Sequence, residues 1–241
     1  MKLEYQKEEL QKLGRTKITL PEELSPKLAY LVGVLRDGSI SQSSTKEGIK
    51  EYVAWCSKSK EYLETVISPP IVQIFGVKPR IVHDRSKFQI RTSIHSIVQF
   101  FKRIFEHPGG KQTSWKTPQV ILQAGREIKS AYIRGFFDAE GSVLKLMEHY
   151  PWQSMYPIRI WSSWISPDIC VPLEEMKCML EEFGIKSEVK SVKASSERTK
   201  LPIFCLKISQ PKDKLKFVEE IGSLHPSKIE RLTFLKHMIS N

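Results

Sequence analysis

Residues 131–143 read AYIRGFFDAEGSV, and this stretch decides the fold. Ala131, Ile133, Phe136 and Phe137 are apolar, and no proline interrupts them. That pattern reads as a buried helix. It runs into Glu140-Gly141. A glycine just past an apolar helix reads as a stop signal, taking the left-handed conformation that closes a last turn. Glu140 is therefore expected at a helix C-terminus, where the dipole is negative and a carboxylate is unwelcome. A residue placed against its local preference implies a compensating cation. A second stretch, residues 28–40, reads LAYLVGVLRDGSI and closes in the same way on Asp37-Gly38. The two acids are 103 residues apart, from 37 to 140, so the chain reads as an internal repeat of about a hundred residues.

These two stretches resemble the signature motifs of a single-chain LAGLIDADG homing endonuclease. In the second copy Gly135, Asp138, Ala139, Glu140 and Gly141 fall at the motif's positions. The first copy is one residue shorter, Gly33 to Asp37 against Gly135 to Glu140. Aligned from Asp37-Gly38, the motif's helix-contact glycine becomes Val32; aligned from Gly33, one residue is missing. The helix register near Asp37 stays open at this stage. The resemblance implies an α+β fold of two pseudo-symmetric αββαββα halves. The motif helices pack at the centre, and antiparallel sheets form a DNA-binding saddle.

The 241 residues, 40% of them hydrophobic, can bury a sizeable core. The formal net charge of +11 favours a polyanionic partner. No two of Cys56, Cys170, Cys178 and Cys205 have CxxC spacing, which argues against zinc. Cys56 and Cys205 sit in strand-like runs and read as reduced core thiols. The N-terminus is charged, and no run approaches a membrane span. An intracellular protein with no membrane partner is expected. Met1 stands where an intein needs a nucleophile, so an intein is not expected.

Four segments follow: an N-terminal extension over 1–25, a first half over 26–106, a linker over 107–117 and a second half over 118–241. Ser25-Pro26 announces the first motif helix, expected to run to Arg36. Residues 51–57 read as a strand that can form a hairpin with the segment before it, SQSSTKEG being the long loop. Residues 60–75 read as a helix broken at Pro69-Pro70, residues 78–83 and 88–93 as strands, and residues 94–105 as a helix. The second half repeats this order. Strands are expected over 142–149, 157–165, 185–192 and 203–209. Helices are expected over 171–183, 212–221 and 226–239.

The resemblance implies that the motif helices lie side by side and bring Asp37 and Glu140 together. Two facing carboxylates repel, and a hard divalent cation relieves that. Mg2+, with Mn2+ or Ca2+ as substitutes, is the expected cofactor, with the backbone carbonyls of Arg36 and Ala139 completing the coordination. Asp138 is expected to make a structural hydrogen bond instead. Arg91 and Lys207 occupy similar places in the last strand of each half and are the candidates for stabilising charge on the scissile phosphate. Ser57, Lys58 and Ser162 are weaker candidates. For each basic residue the plain alternative is a surface ion pair.

Double-stranded DNA is the expected partner, read by strands in its major groove. The candidate contacts are Lys46, Lys50, Lys78, Arg80, Arg85 and Lys87, then Lys145, Arg159, Lys186, Lys190, Lys193, Arg198 and Lys200. Most are expected on phosphates. Trp55 and Trp161 are expected in the core, and Trp152 in a loop. The expected activity is that of a monomeric endonuclease cutting both DNA strands, encoded in a mobile intron or a free-standing gene. The alternative is a decayed relative acting as an RNA maturase or DNA-binding regulator, favoured by the short first motif.

Overall fold

The computed structural model describes residues 1–13, 18–45, 48–110, 112–143, 156–192 and 201–240. After α1 (Lys7–Lys12), the first half runs α2 (Pro26–Val34), β1 (Ser39–Thr45), β2 (Gly48–Ser57), α3 (Lys60–Tyr62), α4 (Ser68–Phe75), β3 (Arg80–Asp84), β4 (Lys87–Thr92) and α5 (His95–Ile104). A short helix α6 (Gln119–Leu122) opens the second half, followed by α7 (Arg126–Glu140), β5 (Gly141–Ser142), β6 (Ile158–Ser163), α8 (Val171–Glu182), β7 (Glu188–Val192), β8 (Ile203–Ile208), α9 (Pro211–Glu220) and α10 (Pro226–Ser240). The two antiparallel sheets have matching orders, β1-β2-β4-β3 and β5-β6-β8-β7. This is the expected α+β repeat.

The motif helices α2 and α7 pack together at the centre. The Ser25 hydroxyl accepts from the Leu28 N–H at 3.2 Å and Pro26 fills the first position, so α2 starts where its sequence says. α2 is apolar on nearly every side because it is buried, whereas α7 is buried from Ile128 to Ile133 and from Gly135 to Asp138 and keeps Arg126, Glu127 and Arg134 toward solvent. Their backbones touch at Gly33 and Gly135. A Cβ on Gly33 would lie 2.2 Å from the Tyr132 carbonyl oxygen, and one on Gly135 would lie 2.2 Å from that of Tyr30. Gly33, not Val32, is therefore the contact glycine.

The missing residue is absorbed just beyond. Leu35–Asp37 forms a single 3-10 turn, so α2 stops short of Arg36. A 3-10 turn rises about 2.0 Å per residue against about 1.5 Å in an α-helix. Four steps from Gly33 then climb about 7.5 Å, as do five α-helical steps from Gly135 to Glu140. Asp37 and Glu140 end level, with an angular difference of only about 40°.

Period-2 alternation sets the sheet faces. Val53, Trp55, Ile90, Ile158, Ile160, Phe204, Leu206 and Ile208 point into the core. Their neighbours make the opposite, outer faces.

Four expectations need correction. Gly38 and Gly141 are extended, not left-handed (φ −113° and −84°). They are glycines for space: a Cβ would meet the Ala54 carbonyl oxygen at 2.2 Å and the Phe137 ring at 2.1 Å, respectively. SQSST is strand β1, not loop, because its backbone pairs with β2 through Thr45↔Gly48. Pro69 and Pro70 do not break a helix but start α4; the irregularity is a π-helical stretch, Leu63–Ile67, before them. Trp161 and Cys56 lie on the outer faces, half-buried, since strand parity turns them away from the core. The expected strand over 142–149 is described only to Val143; the rest, and Trp152, lie outside the described residues.

The segments flanking the first half are packed. Leu3, Leu10, Leu20 and Leu24 of residues 1–25 join the core, with α1 against α5. In residues 107–117, His107, Trp115 and Thr117 are buried. No helix among the described residues is long and apolar enough to cross a membrane.

Candidate active site

Asp37 and Glu140 close the two motif helices, near enough for the charge of each to act on Lys87 of β4 and for that of Asp37 to act on Glu140. Burial, then the charge of Asp37, pushes Glu140 up to about 7, against Lys87, Lys228 and Arg36. Asp37 is also raised: burial outweighs its ion pair with Lys87. The Lys87 amine donates to both Asp37 carboxylate oxygens, at 2.8 and 3.2 Å. Burial lowers Lys87, but Asp37 more than compensates and leaves it above its usual value.

The register shows how far the halves match. Two residues past each acid begins a cross-strand row: Ser39–Ala54–Arg91–Arg80 and Ser142–Arg159–Lys207–Glu188. Arg91 and Lys207 therefore hold the same place in the two outer faces, as expected. Arg91 also lies 5.0 Å over the Tyr52 ring. By the same register Cys56, Ser57 and Lys58 correspond to Trp161, Ser162 and Ser163, and Lys87 to Ile203. The halves differ chemically here. Lys87 and Lys58 act on Asp37, whereas Trp161, Ser162, Ser163 and Ile203 share a cleft of about 480 Å³ with Glu140.

Arg36 and Ala139, expected to offer backbone carbonyls, immediately precede the two acids. The Arg36 side chain turns inward, where its guanidinium lies 4.3 Å over Trp115 and 4.9 Å over Phe136. It donates to the Trp115 and Lys116 carbonyls and to the Tyr132 hydroxyl. Arg36 thus clamps the linker onto the motif helices. Asp138 has the structural role expected of it. It accepts from the hydroxyls of Tyr30 and Ser223 and from the Leu224 N–H.

Of the candidate DNA contacts, Lys50, Arg80, Lys87, Arg159 and Lys190 lie on the outer faces. Lys87 is engaged by Asp37, and Lys190 pairs with Glu188 at 3.0 Å. Lys78 and Lys186 are exposed ahead of β3 and β7, and Arg85 forms the β3–β4 turn at φ 54°. Lys46, Lys145, Lys193, Arg198 and Lys200 lie outside the described residues.

Sequence reading missed Lys228. Its amine donates to the carbonyls of Phe137 at 2.6 Å and Asp138 at 2.9 Å. Burial presses it down to about 8 against the pull of Asp138, Glu140 and Asp37. One signal was available: Lys228 sits in the first turn of α10, where the helix dipole disfavours a cation.

These shifts predict a pH dependence. Between about 4.5 and about 7 the folded chain keeps a Glu140 proton that the unfolded chain has released. The Glu140 contribution to the stability of the metal-free protein therefore falls as pH rises through that window, by up to about 2–3 kcal/mol, and levels off above it, against the opposite slope of His107 and His225, which burial pushes down to about 3 and about 4. Urea melts across the window should show the stability of the parent falling relative to that of Glu140→Gln as pH rises.

The paired helices, the matched sheets and the two level acids define a two-motif LAGLIDADG protein. A LAGLIDADG-like domain model matches residues 127–222. Homing endonuclease I-ApeI of Aeropyrum pernix is 32% identical over 213 residues, covering 86% of each chain. The chain belongs to the LAGLIDADG homing endonuclease family. Solved structures share the fold: I-DmoI in complex with DNA and Ca has a TM-score of 0.62 at 21% identity, covering 90% of this chain and 100% of its own. I-LtrWI bound to target DNA has a TM-score of 0.58 at 12% identity, covering 90% and 91%.

Proposed function

We propose that this protein is a site-specific endonuclease that hydrolyses both strands of duplex DNA with divalent cations held by Asp37 and Glu140. The carrying observation is the shared field of these two acids at the level ends of paired helices. The donor set fits Mg2+: hard oxygens, two carboxylates, and helix C-termini whose carbonyls carry partial negative charge. Lys87 already places a cation on both oxygens of Asp37. Among the described residues no cluster of three or more His, Cys, Asp or Glu exists, so these side chains leave coordination positions for water and phosphate.

A bound cation would lower the pKa of an attacking water and steady the leaving oxygen. Asp37 and Glu140, with the backbone carbonyls of Arg36 and Ala139, would hold it. Arg91 and Lys207, at matched places, face the phosphates of opposite strands and stabilise developing charge. Ser57, Lys58 and Ser162 orient water at the rim. The basic outer faces bind the duplex backbone, with Lys50, Lys78, Arg80, Arg85, Arg159, Lys186 and Lys190 as phosphate contacts. I-DmoI has been captured with DNA and Mn, and with DNA and Ca, in support of this chemistry. Two motifs in one chain make a monomer sufficient, with residues 26–106 and 118–241 as the halves. The 3-10 turn Leu35–Asp37, whose steeper rise makes up for the missing residue, supports an active first motif over a decayed one.

The test is incubation with a randomised pool of duplexes, with and without Mg2+, and sequencing of the new ends. Paired breaks at one sequence, dependent on Mg2+, are expected. Binding without cleavage at any divalent ion would leave a DNA-binding regulator.

A further inference from the structure

Each motif helix is finished by a side chain returning from the segment that follows its own αββαββα unit. In the first half the Gln112 side-chain amide donates to the Leu35 carbonyl at 2.9 Å and to the Gly38 carbonyl. In the second half the Lys228 amine donates to the carbonyls of Phe137 and Asp138. These two residues hold matching places. The third helix of each half, α5 and α9, is ten residues long. Gln112 is the eighth residue after Ile104, and Lys228 the eighth after Glu220. The repeat thus extends past the αββαββα units into the segments beyond them.

We propose that Gln112 and Lys228 are paired positioning residues, which fix the C-terminal ends of the motif helices so that Asp37 and Glu140 aim their carboxylates at one cation. This rests on the reading that those two acids hold a divalent ion. A helix C-terminus leaves four carbonyls without partners inside the helix. At these two ends an acid adds a full negative charge. Unsupported, the last turn would fray, and the acid would lose its aim. Gln112 ties down the carbonyls on either side of Arg36-Asp37, and Lys228 ties down the two that precede Ala139-Glu140. Both therefore grip carbonyls next to those expected to bind metal. Gln112 also lines the cleft beside Glu140, and the Lys228 amine lies 5.0 Å over the Phe137 ring, which fixes its approach. Groups that orient ligands in this way typically govern metal affinity by about 10–100-fold.

A bystander lysine beside two acids predicts the opposite sign. It competes with the metal, so its removal should tighten binding. The experiment is a Mn2+ titration of the DNA-free protein, read by loss of the free-ion paramagnetic resonance signal. Gln112→Leu and Lys228→Met should each weaken Mn2+ binding about tenfold, the second despite losing a positive charge. Lys228→Arg, which keeps a donor, should restore most of the affinity. Circular dichroism checks each fold, and Gln112→Leu carries the test if Lys228→Met does not fold. Unchanged affinity in Gln112→Leu, or tighter binding in Lys228→Met, overturns the positioning role and leaves the metal site intact. A wild-type protein that takes up no Mn2+ overturns the metal reading, and the positioning role with it.

Discussion

Glu140→Gln is expected to lower the single-turnover cleavage rate by on the order of 10³-fold or more, about 4 kcal/mol of transition-state stabilisation. The substitution keeps size and removes charge. Without that carboxylate the site loses one of its two anionic donors, and a neutral amide oxygen is a poor substitute for a hard cation. Folding should survive. Glu140 lies at the helix end, and burial already pushes it toward its neutral form. The neutral amide removes that burial penalty, so the metal-free variant should be as stable as the parent at pH 7 or more so. Duplex binding should survive too, because affinity comes from lysines and arginines spread over two sheets. The measurement pairs a cleavage time course in Mg2+ with a gel shift on the same duplex in Ca2+. Cleavage within tenfold of the parent would refute a ligand role for Glu140. Lost binding with intact folding would place Glu140 in recognition instead.

Much of the candidate site is legible in the sequence, and the reasons are local. Asp37 and Glu140 stand out because an acid at the end of an apolar helix contradicts the dipole, and the contradiction occurs twice. Asp138 was separable from Glu140 because the two point in different directions from the same helix. The matched places of Arg91 and Lys207 follow from equal positions in their strands, which is a question of register. What failed was less local. The left-handed reading of Gly38 and Gly141 followed a sound rule about helix ends. However, the Ala54 carbonyl and the Phe137 ring impose a spatial demand that no spacing shows. The short first motif looked like a defect because sequence counts residues, whereas a helix end is placed by rise. Lys87 reads as a DNA contact from its charge, and the fold in addition brings it onto Asp37, which no spacing shows. Gln112 and Lys228 lie 75 and 88 residues beyond the acids they serve. Their equivalence emerges only when the repeat is counted from α5 and α9.

Valine at Gly135 is expected to be the most destabilising single change in the protein, at about 4 kcal/mol or more. The obstacle is main chain. A Cβ there would sit 2.2 Å from the Tyr30 carbonyl oxygen, 2.9 Å from the Val34 nitrogen and 3.1 Å from the Gly33 Cα. A flexible side chain could rotate away, but a helix backbone can yield only by moving the whole helix. Separation of α2 from α7 would open a fully buried interface, around Leu31, Tyr132 and Phe136, and leave voids that close-packed neighbours cannot refill. Gly33→Val should do the same from the other side, since its Cβ would meet the Tyr132 carbonyl oxygen at 2.2 Å. For a chain of this size 4 kcal/mol corresponds to a fall in Tm of roughly 8–16 °C. Gly125→Ala is the control. It lies at the start of the same helix with nothing within 4 Å of an added Cβ, and it should cost under about 1 kcal/mol. The same displacement should reach the chemistry, because the helix crossing sets the spacing of Asp37 and Glu140. A Gly135→Ala protein that still folds at 25 °C should therefore bind Mn2+ more weakly than its melting temperature alone accounts for. Melting curves within 3 °C of the parent for both valine variants, an allowance of about 1 kcal/mol, would mean that the helices do not touch at these glycines.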